Sequence, residues 1–299
     1  YVATGSTRFE DIQSAFAGEP TSKLMLFSAL LILSGLGFKV AAVPFHLWAP
    51  DVYEGAPVPV VAFLSVGSKA AGFALLIRLV FTVFTSFDAE REILFAVLAA
   101  MTMIYGNLGA VVQKNIKRLL GYSSIAHAGY LLIGLAATKD SGPAALLYYL
   151  ITYGLANLTI FLVLSLVSPE LPSDQIEAYR GLAKRSPFLA GSLFVAFLSL
   201  AGIPPLAGFA GKFFVLLAAV QSDLGWLALI GILSIPVSLY YYLGVIRSMY
   251  LEEPVHETSV AAPRSAKLLL GILISAVLLA GIVQAPFFQI VETALQSLF

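Results

Sequence analysis

The chain has 299 residues, of which 59% are hydrophobic and 11% charged, with seventeen basic and seventeen acidic side chains and a mean hydropathy of +0.92. Soluble domains carry about 25% charged residues, so a soluble fold is excluded, and a net charge of zero gives no overall attraction to nucleic acid or to an acidic partner. With no cysteine, disulfides, thiolate metal sites and cysteine-held iron–sulfur clusters are excluded from this chain too. The sequence opens at Tyr1, and Thr4 to Pro20 is too polar for the apolar core of a signal peptide, so it reads as a fragment or the later part of a longer protein.

A helix needs about 20 predominantly apolar residues to cross about 30 Å of hydrocarbon, and only helices or closed barrels satisfy their backbone in lipid. The apolar runs are far too long for barrel strands. In chain order they predict eight spans: 23–48, 58–84, 93–112, 118–137, 144–167, 186–220, 224–250 and 266–291. The fold expected is therefore an all-α, polytopic transmembrane bundle. Two spans carry proline where a helix cannot continue, the first at Pro44 and the sixth at Pro204–Pro205, so both should be discontinuous. Broken helices in corresponding positions of two halves point to a transport site built on inverted repeats. Lys39 precedes the first break and Lys212 follows the second, the mirrored order that opposite membrane orientation would produce.

Eight spans put both termini on one side. Lys114, Lys117, Arg118, Arg180, Lys184, Arg185, Arg247, Arg264 and Lys267 gather on one face, against Arg8, Lys23, Arg78, Arg91 and Lys139 on the other. By the positive-inside rule the first face is cytoplasmic, or matrix or stromal in an organelle, and both termini lie on the outer side.

Every carboxylate falls in a connection, at a terminus or, for Glu292, at the extreme end of the last span, which leaves Lys39, Lys69 and Lys212 in the hydrocarbon. Lys69 sits about 11 residues into its run, roughly 17 Å deep at 1.5 Å per residue, near the midplane. A central lysine costs at least about 2.5–3.5 kcal/mol on insertion scales. Lysine is also a cation that desolvation readily neutralises, so a water-connected chain of such groups is a usable proton path. The alternative is that the lysines snorkel or hydrogen-bond to broken-helix carbonyls, which fits Lys69 poorly because neither end of its span is within reach. His127, midway along the fourth span, shares a helix face with Ser123 and Tyr130. It suits either a relay or a hydrogen-bonded structural role. His46, beside Pro44, reads as fixing local geometry, and His256, among Glu252, Glu253 and Glu257, as a solvated loop residue. Trp48 and Trp226 fall at interfaces, where belt aromatics belong. No HExxH or GxxxxGK[ST] pattern is present, and no metal ligand set is expected.

The stretch GFKVAAVPFHLWAPDVYEGAP at 37–57 resembles the signature of antiporter-like subunit N, or subunit 2, of the proton-pumping NADH:quinone oxidoreductase, respiratory complex I. Residues 65–72 around Lys69, NIKRLLGYSSIAHAGYLLIGL at 115–135 and residues 199–214 around Lys212 agree with it, so the resemblance covers essentially the whole chain. It implies helices 7 to 14 of a 14-helix, inverted-repeat antiporter-like fold: 1–85 as the end of the first repeat, 93–250 as the second and 266–291 as the C-terminal helix. By resemblance Lys39 matches the lysine of broken helix 7, Lys69 that of helix 8, Lys212 that of broken helix 12, and His127 the helix-10 position of the central hydrophilic axis. The family's helix-7 lysine pairs with a glutamate on helix 5, which precedes the part matched. The resemblance further implies a proton-translocating translocase subunit in a bacterial inner membrane, with termini of this segment periplasmic, and no redox centre in this chain. NADH, FMN, iron–sulfur clusters and quinone would reside in partner subunits, and its neighbours would be other antiporter-like and quinone-module membrane subunits. The alternatives are a subunit of a multisubunit Na⁺/H⁺ antiporter or membrane-bound hydrogenase, and a structural membrane spacer.

Overall fold

The computed structural model describes residues 4–17, 23–84, 88–137, 141–254 and 259–296; Lys139, His256 and Glu257, and the Lys23 side chain, lie outside the described residues. A short helix α1 (Phe9–Ala17) precedes α2 (Lys23–Val40), which breaks before α3 (Trp48–Gly55). Next, α4 (Val58–Phe63) and α5 (Lys69–Arg78) run as one span, Val58–Val83, with π-helical turns at Leu64–Ser68 and Leu79–Val83. Then come α6 (Asp88–Val111), α7 (Ile116–Ala136) and α8 (Gly142–Val167). After a connection holding the short α9 (Leu182–Arg185), α10 (Pro187–Ala201) and α11 (Ala207–Gln221) form the second broken helix, followed by α12 (Gly225–Leu251), α13 (Arg264–Ile282) and α14 (Gln284–Gln296). Among the described residues six helices are long and apolar enough to cross a bilayer, and counting each broken pair as one crossing gives the eight expected.

One boundary differs. The expected last span, 266–291, ends at Ile282, and the chain turns at Val283 into α14, which carries Glu292. Pro286 is the reason: a proline ring clashes with the carbonyl four residues earlier, here that of Ile282, so α13 cannot run through it.

Helix α7 is the axis of the bundle. Nearly all of its residues are buried, as expected of a helix apolar on every side. Between helices in lipid, close packing has to supply what the hydrophobic effect supplies in water. Small residues on α6 and α7 provide it. A Cβ on Gly106 would stand 2.4 Å from the Ala126 amide nitrogen, and one on Gly129 would stand 2.6 Å from that of Met103. Asn115 caps α7, its side-chain oxygen accepting from the amides of Lys117 (2.9 Å) and Arg118 (3.1 Å). At the other end the Arg91 guanidinium donates to the carbonyls of Leu135 (2.7 Å) and Ala137 (3.0 Å), a cation at the negative end of the helix dipole. Asn115→Ala should cost about 1 kcal/mol. Hydrogen exchange at the Lys117 and Arg118 amides is expected to quicken, and unchanged exchange there would show that the cap is not needed.

Both breaks bond several of their freed backbone groups inside the protein, in line with what a lipid environment demands. At the first, the amides of Ala41 and Ala42 donate to the carbonyls of Phe38 and Gly37, and the Val43 amide donates to Thr102 Oγ1 of α6 at 3.1 Å. Trp48, expected as a belt aromatic, also reaches back across the break: its Nε1 donates to the Phe38 carbonyl at 2.8 Å. At the second, Gly202 takes a left-handed φ of 88°, its amide and that of Ile203 close the end of α10 on Leu198 and Ser199, and the Gly208 amide donates to Ser199 Oγ at 3.1 Å.

Candidate functional site

The first turn of α5 is positioned by the π-helical turn that ends at Ser68, a widening of the helix that often marks functional positions. From there Lys69, 2% exposed, reaches α7 and donates to the Ser124 carbonyl (2.6 Å) and Ser124 Oγ (2.7 Å). Ser124 Oγ also pairs with the Tyr53 hydroxyl of α3 at 2.9 Å. Lys69 is thus held at midspan by oxygens, not snorkelled to an interface, and no carboxylate pairs with it among the described residues.

Lys212, also 2% exposed, lies in the second turn of α11 and donates to the Ala201 carbonyl across the break at 3.1 Å. That carbonyl is one of the acceptors left free at the end of α10. The ammonium therefore caps the half-helix where the dipole is negative. A Cβ at Gly202 would press on the Lys212 side chain at 3.0 Å, so glycine there serves both the φ and the lysine.

His127 lies between the two lysines. Its Nδ1 pairs with the Tyr149 hydroxyl of α8 at 2.5 Å and its Nε2 with the Tyr242 hydroxyl of α12 at 3.2 Å, and Tyr242 in turn pairs with Ser123 Oγ. The rings make a second connection. The Lys69 Nζ stands 5.5 Å from the centre of the Tyr153 ring, which packs 5.0 Å from the His127 ring. On the other side the His127 ring lies 6.3 Å from that of Tyr130, over which the Lys212 Nζ sits at 4.9 Å. Each ammonium thus rests on a tyrosine face that also borders the histidine, a placement the negative face of the ring favours.

Of the four expected site residues, the structure brings Lys69, His127 and Lys212 together and leaves Lys39 apart. Lys39 lies in the last turn of α2 beside Gly72, its side chain exposed and without a hydrogen bond among the described residues. His46 is buried in the first break with its ring against Tyr105 at 4.1 Å, in keeping with a local role. The sequence reading placed Tyr130 beside His127 but missed Tyr149, Tyr153 and Tyr242. Tyr149 and Tyr153 stand at midspan in α8, where an aromatic hydroxyl is out of place because tyrosines belong at the interfaces. That displacement was a usable signal. No group of three or more metal-ligating side chains occurs among the described residues.

Comparison with known proteins agrees with this architecture. NADH-quinone oxidoreductase subunit N of Desulforamulus reducens is 41% identical over 297 residues, covering 99% of this chain and 62% of that protein. The protein of the same name from Dehalococcoides mccartyi is 47% identical over 277 residues, covering 90% and 57%. A chain of respiratory complex I from Thermus thermophilus superposes with a TM-score of 0.81 at 37% identity, over 97% of this chain and 62% of that one. A chain of the Mrp complex from Dietzia sp. shares the fold, with a TM-score of 0.85 at 21% identity over 98% of this chain and 62% of that chain. The chain spans about three fifths of the length of these curated relatives. Residues 1–238 match the family described as "NADH:quinone oxidoreductase/Mrp antiporter, TM". An all-helical bundle with two broken helices and lysines at their mirrored positions, matched over that length, belongs to the NADH:quinone oxidoreductase/Mrp antiporter transmembrane family.

Proposed function

We propose that this chain is the proton-translocating part of a complex I-type NADH:quinone oxidoreductase membrane subunit, with Lys69, His127 and Lys212 as its relay. The observation that carries the reading is the sequence Lys69, Tyr153, His127, Tyr130, Lys212 across the buried middle of the bundle. Two ammonium groups in hydrocarbon are expensive to keep, and a spacer has no use for them. A relay does. Each lysine can hold or release a proton, and His127, bonded at both ring nitrogens to hydroxyls, can pass one on. Lys69 and Lys212 make no direct hydrogen bond to His127 among the described residues, so in this mechanism internal water carries those steps.

Lys39, at the open face of α2, is the group through which a neighbouring segment or subunit would act on the relay. The driving event is quinone reduction in partner subunits, where NADH, FMN, iron–sulfur clusters and quinone would reside. The names borne by relatives at 41% and 47% identity favour this over a subunit of a multisubunit Na⁺/H⁺ antiporter. The chain is a multi-pass membrane protein, in this reading of a bacterial inner membrane with the termini of the segment periplasmic.

Tyr242→Phe tests the relay without removing a charge. It deletes the hydroxyl that joins Ser123 to His127 while keeping the ring that packs on Phe197 at 5.4 Å. Proton uptake by the reconstituted complex is expected to fall several-fold when driven by quinone reduction, which is roughly 1 kcal/mol of barrier. Wild-type uptake would remove Tyr242 from the path. Uptake supported by a sodium gradient alone, without quinone reduction, would favour the antiporter instead.

A further inference from the structure

A large cavity lies away from the lysine axis. It is an open groove of about 930 Å³ at the positively charged end of the bundle, between the α6–α7 corner and the last three turns of α12. Its walls are apolar and aromatic: Val111, Leu119, Phe194 and Leu243, with Tyr240 and Tyr250 along the outer edge. Tyr240 is 68% exposed, and the exposed Leu243 and Leu251 continue the wall onto the outer surface of α12. A groove so lined and so open suits an acyl chain.

Two cations stand on its rim, Lys114 from the α6–α7 corner and Arg247 from α12, both exposed. Neighbouring cations are neutralised: Lys117 pairs with Asp174 at 3.0 Å, Arg118 with Asp51 at 2.7 Å, Arg180 with Glu252 at 2.7 Å and Lys184 with Glu253 at 2.7 Å. Lys114 and Arg247 have no carboxylate partner among the described residues. The one acidic residue in the lining, Glu177, stands opposite Arg180 at 3.9 Å. The corner itself is held firmly, because the Ile176 amide donates to the Lys114 carbonyl at 2.8 Å and the Ile116 amide to the Asp174 carbonyl at 2.9 Å. The rim thus carries two cations without a carboxylate partner among the described residues, beside an apolar trough.

We propose that this groove binds an anionic glycerophospholipid, its phosphate on Lys114 and Arg247 and one acyl chain along α12. Basic pockets between transmembrane helices on the positively charged side attract such headgroups. The site is independent of the proton path, since none of Lys69, His127 and Lys212 lines it.

The test uses the full-length protein in its complex, reconstituted in phosphatidylcholine vesicles with a trace of phosphatidylglycerol bearing a photoactivatable acyl chain. Phosphatidylcholine with the same chain is the control, and labelling of α13 peptides is the internal reference. Peptides covering 111–119 and 240–251 are expected to label roughly tenfold more with the anionic probe. Lys114→Gln with Arg247→Gln should equalise the two probes. Gly244→Phe should lower labelling by both while leaving the charges in place, because nothing stands within 4 Å of a Cβ at that position and the ring would fill the trough. Inorganic phosphate at millimolar concentration should not compete. Equal labelling by the two probes, labelling unchanged in the double variant, competition by free phosphate, or no labelling of these peptides by either probe, as a covering protein subunit would produce, each overturns the proposal.

Discussion

Lys69→Ala is expected to reduce proton translocation by the assembled complex at least tenfold, which corresponds to about 1.4 kcal/mol or more of barrier, while assembly survives. The structure explains why the two effects separate. Ser124 Oγ keeps its partner in the Tyr53 hydroxyl at 2.9 Å when the ammonium is removed, so no hydroxyl is orphaned. Losing the buried stem leaves a cavity that costs a few kcal/mol at most, by analogy with Met→Ala at about 2–5 kcal/mol. Removing an unpaired cation from hydrocarbon offsets part of that cost. What cannot be replaced is the protonatable group, because the Val58–Val83 span offers no other buried one. The measurement is proton uptake alongside the quinone-reductase rate in the same vesicles. If both persist at wild-type levels, Lys69 is outside the path and the spacer reading regains ground.

The second large effect concerns the broken helix. Gly208→Val should cost the folded protein itself, because a Cβ at 208 would stand 1.8 Å from the Ser199 carbonyl oxygen and 2.6 Å from its carbon. Both are backbone atoms of α10, so no side chain can swing aside. The two half-helices would have to separate, breaking the bond from the Gly208 amide to Ser199 Oγ and drawing Lys212, one turn further along α11, from the Ala201 carbonyl. Overpacking costs typically about 1–3 kcal/mol and occasionally more. A drop in melting temperature of at least about 5 °C in detergent is expected, with a matching loss of assembled complex on native gels. Gly191→Val on α10 is the control, since nothing lies within 4 Å of its added Cβ. Equal behaviour of the two variants would show that close approach at 208 is not what holds the break.

Much of this molecule was legible as a string of residues because lipid imposes harsh rules. Charge in an apolar run is costly, so Lys69 and Lys212 announced themselves. Proline cannot continue a helix, so Pro44 and Pro204–Pro205 marked both breaks, and the structure ends α2 at Val40 and α10 at Ala201. His127 was legible as a candidate for the same reason as the lysines, but its role stayed open between relay and structure. The end of α13 was missed because hydropathy runs on past Ile282, whereas the clash of Pro286 is a matter of backbone geometry.

Which of these groups meet is set by how the helices pack. Residues 53, 69, 124, 127, 153, 212 and 242 come from α3, α5, α7, α8, α11 and α12, and no periodicity within one helix relates them. The tyrosine faces between each lysine and His127, the reach of Trp48 across its break, and the separation of Lys39 from the buried axis all depend on how helices pack. The same holds for the pair Lys114 and Arg247, which are 133 residues apart in the sequence and share one groove. Residue order alone marks this as a bundle of membrane helices with buried lysines, because transfer to hydrocarbon is a property of single segments. It could not determine the path between those lysines, because a contact belongs to two helices at once.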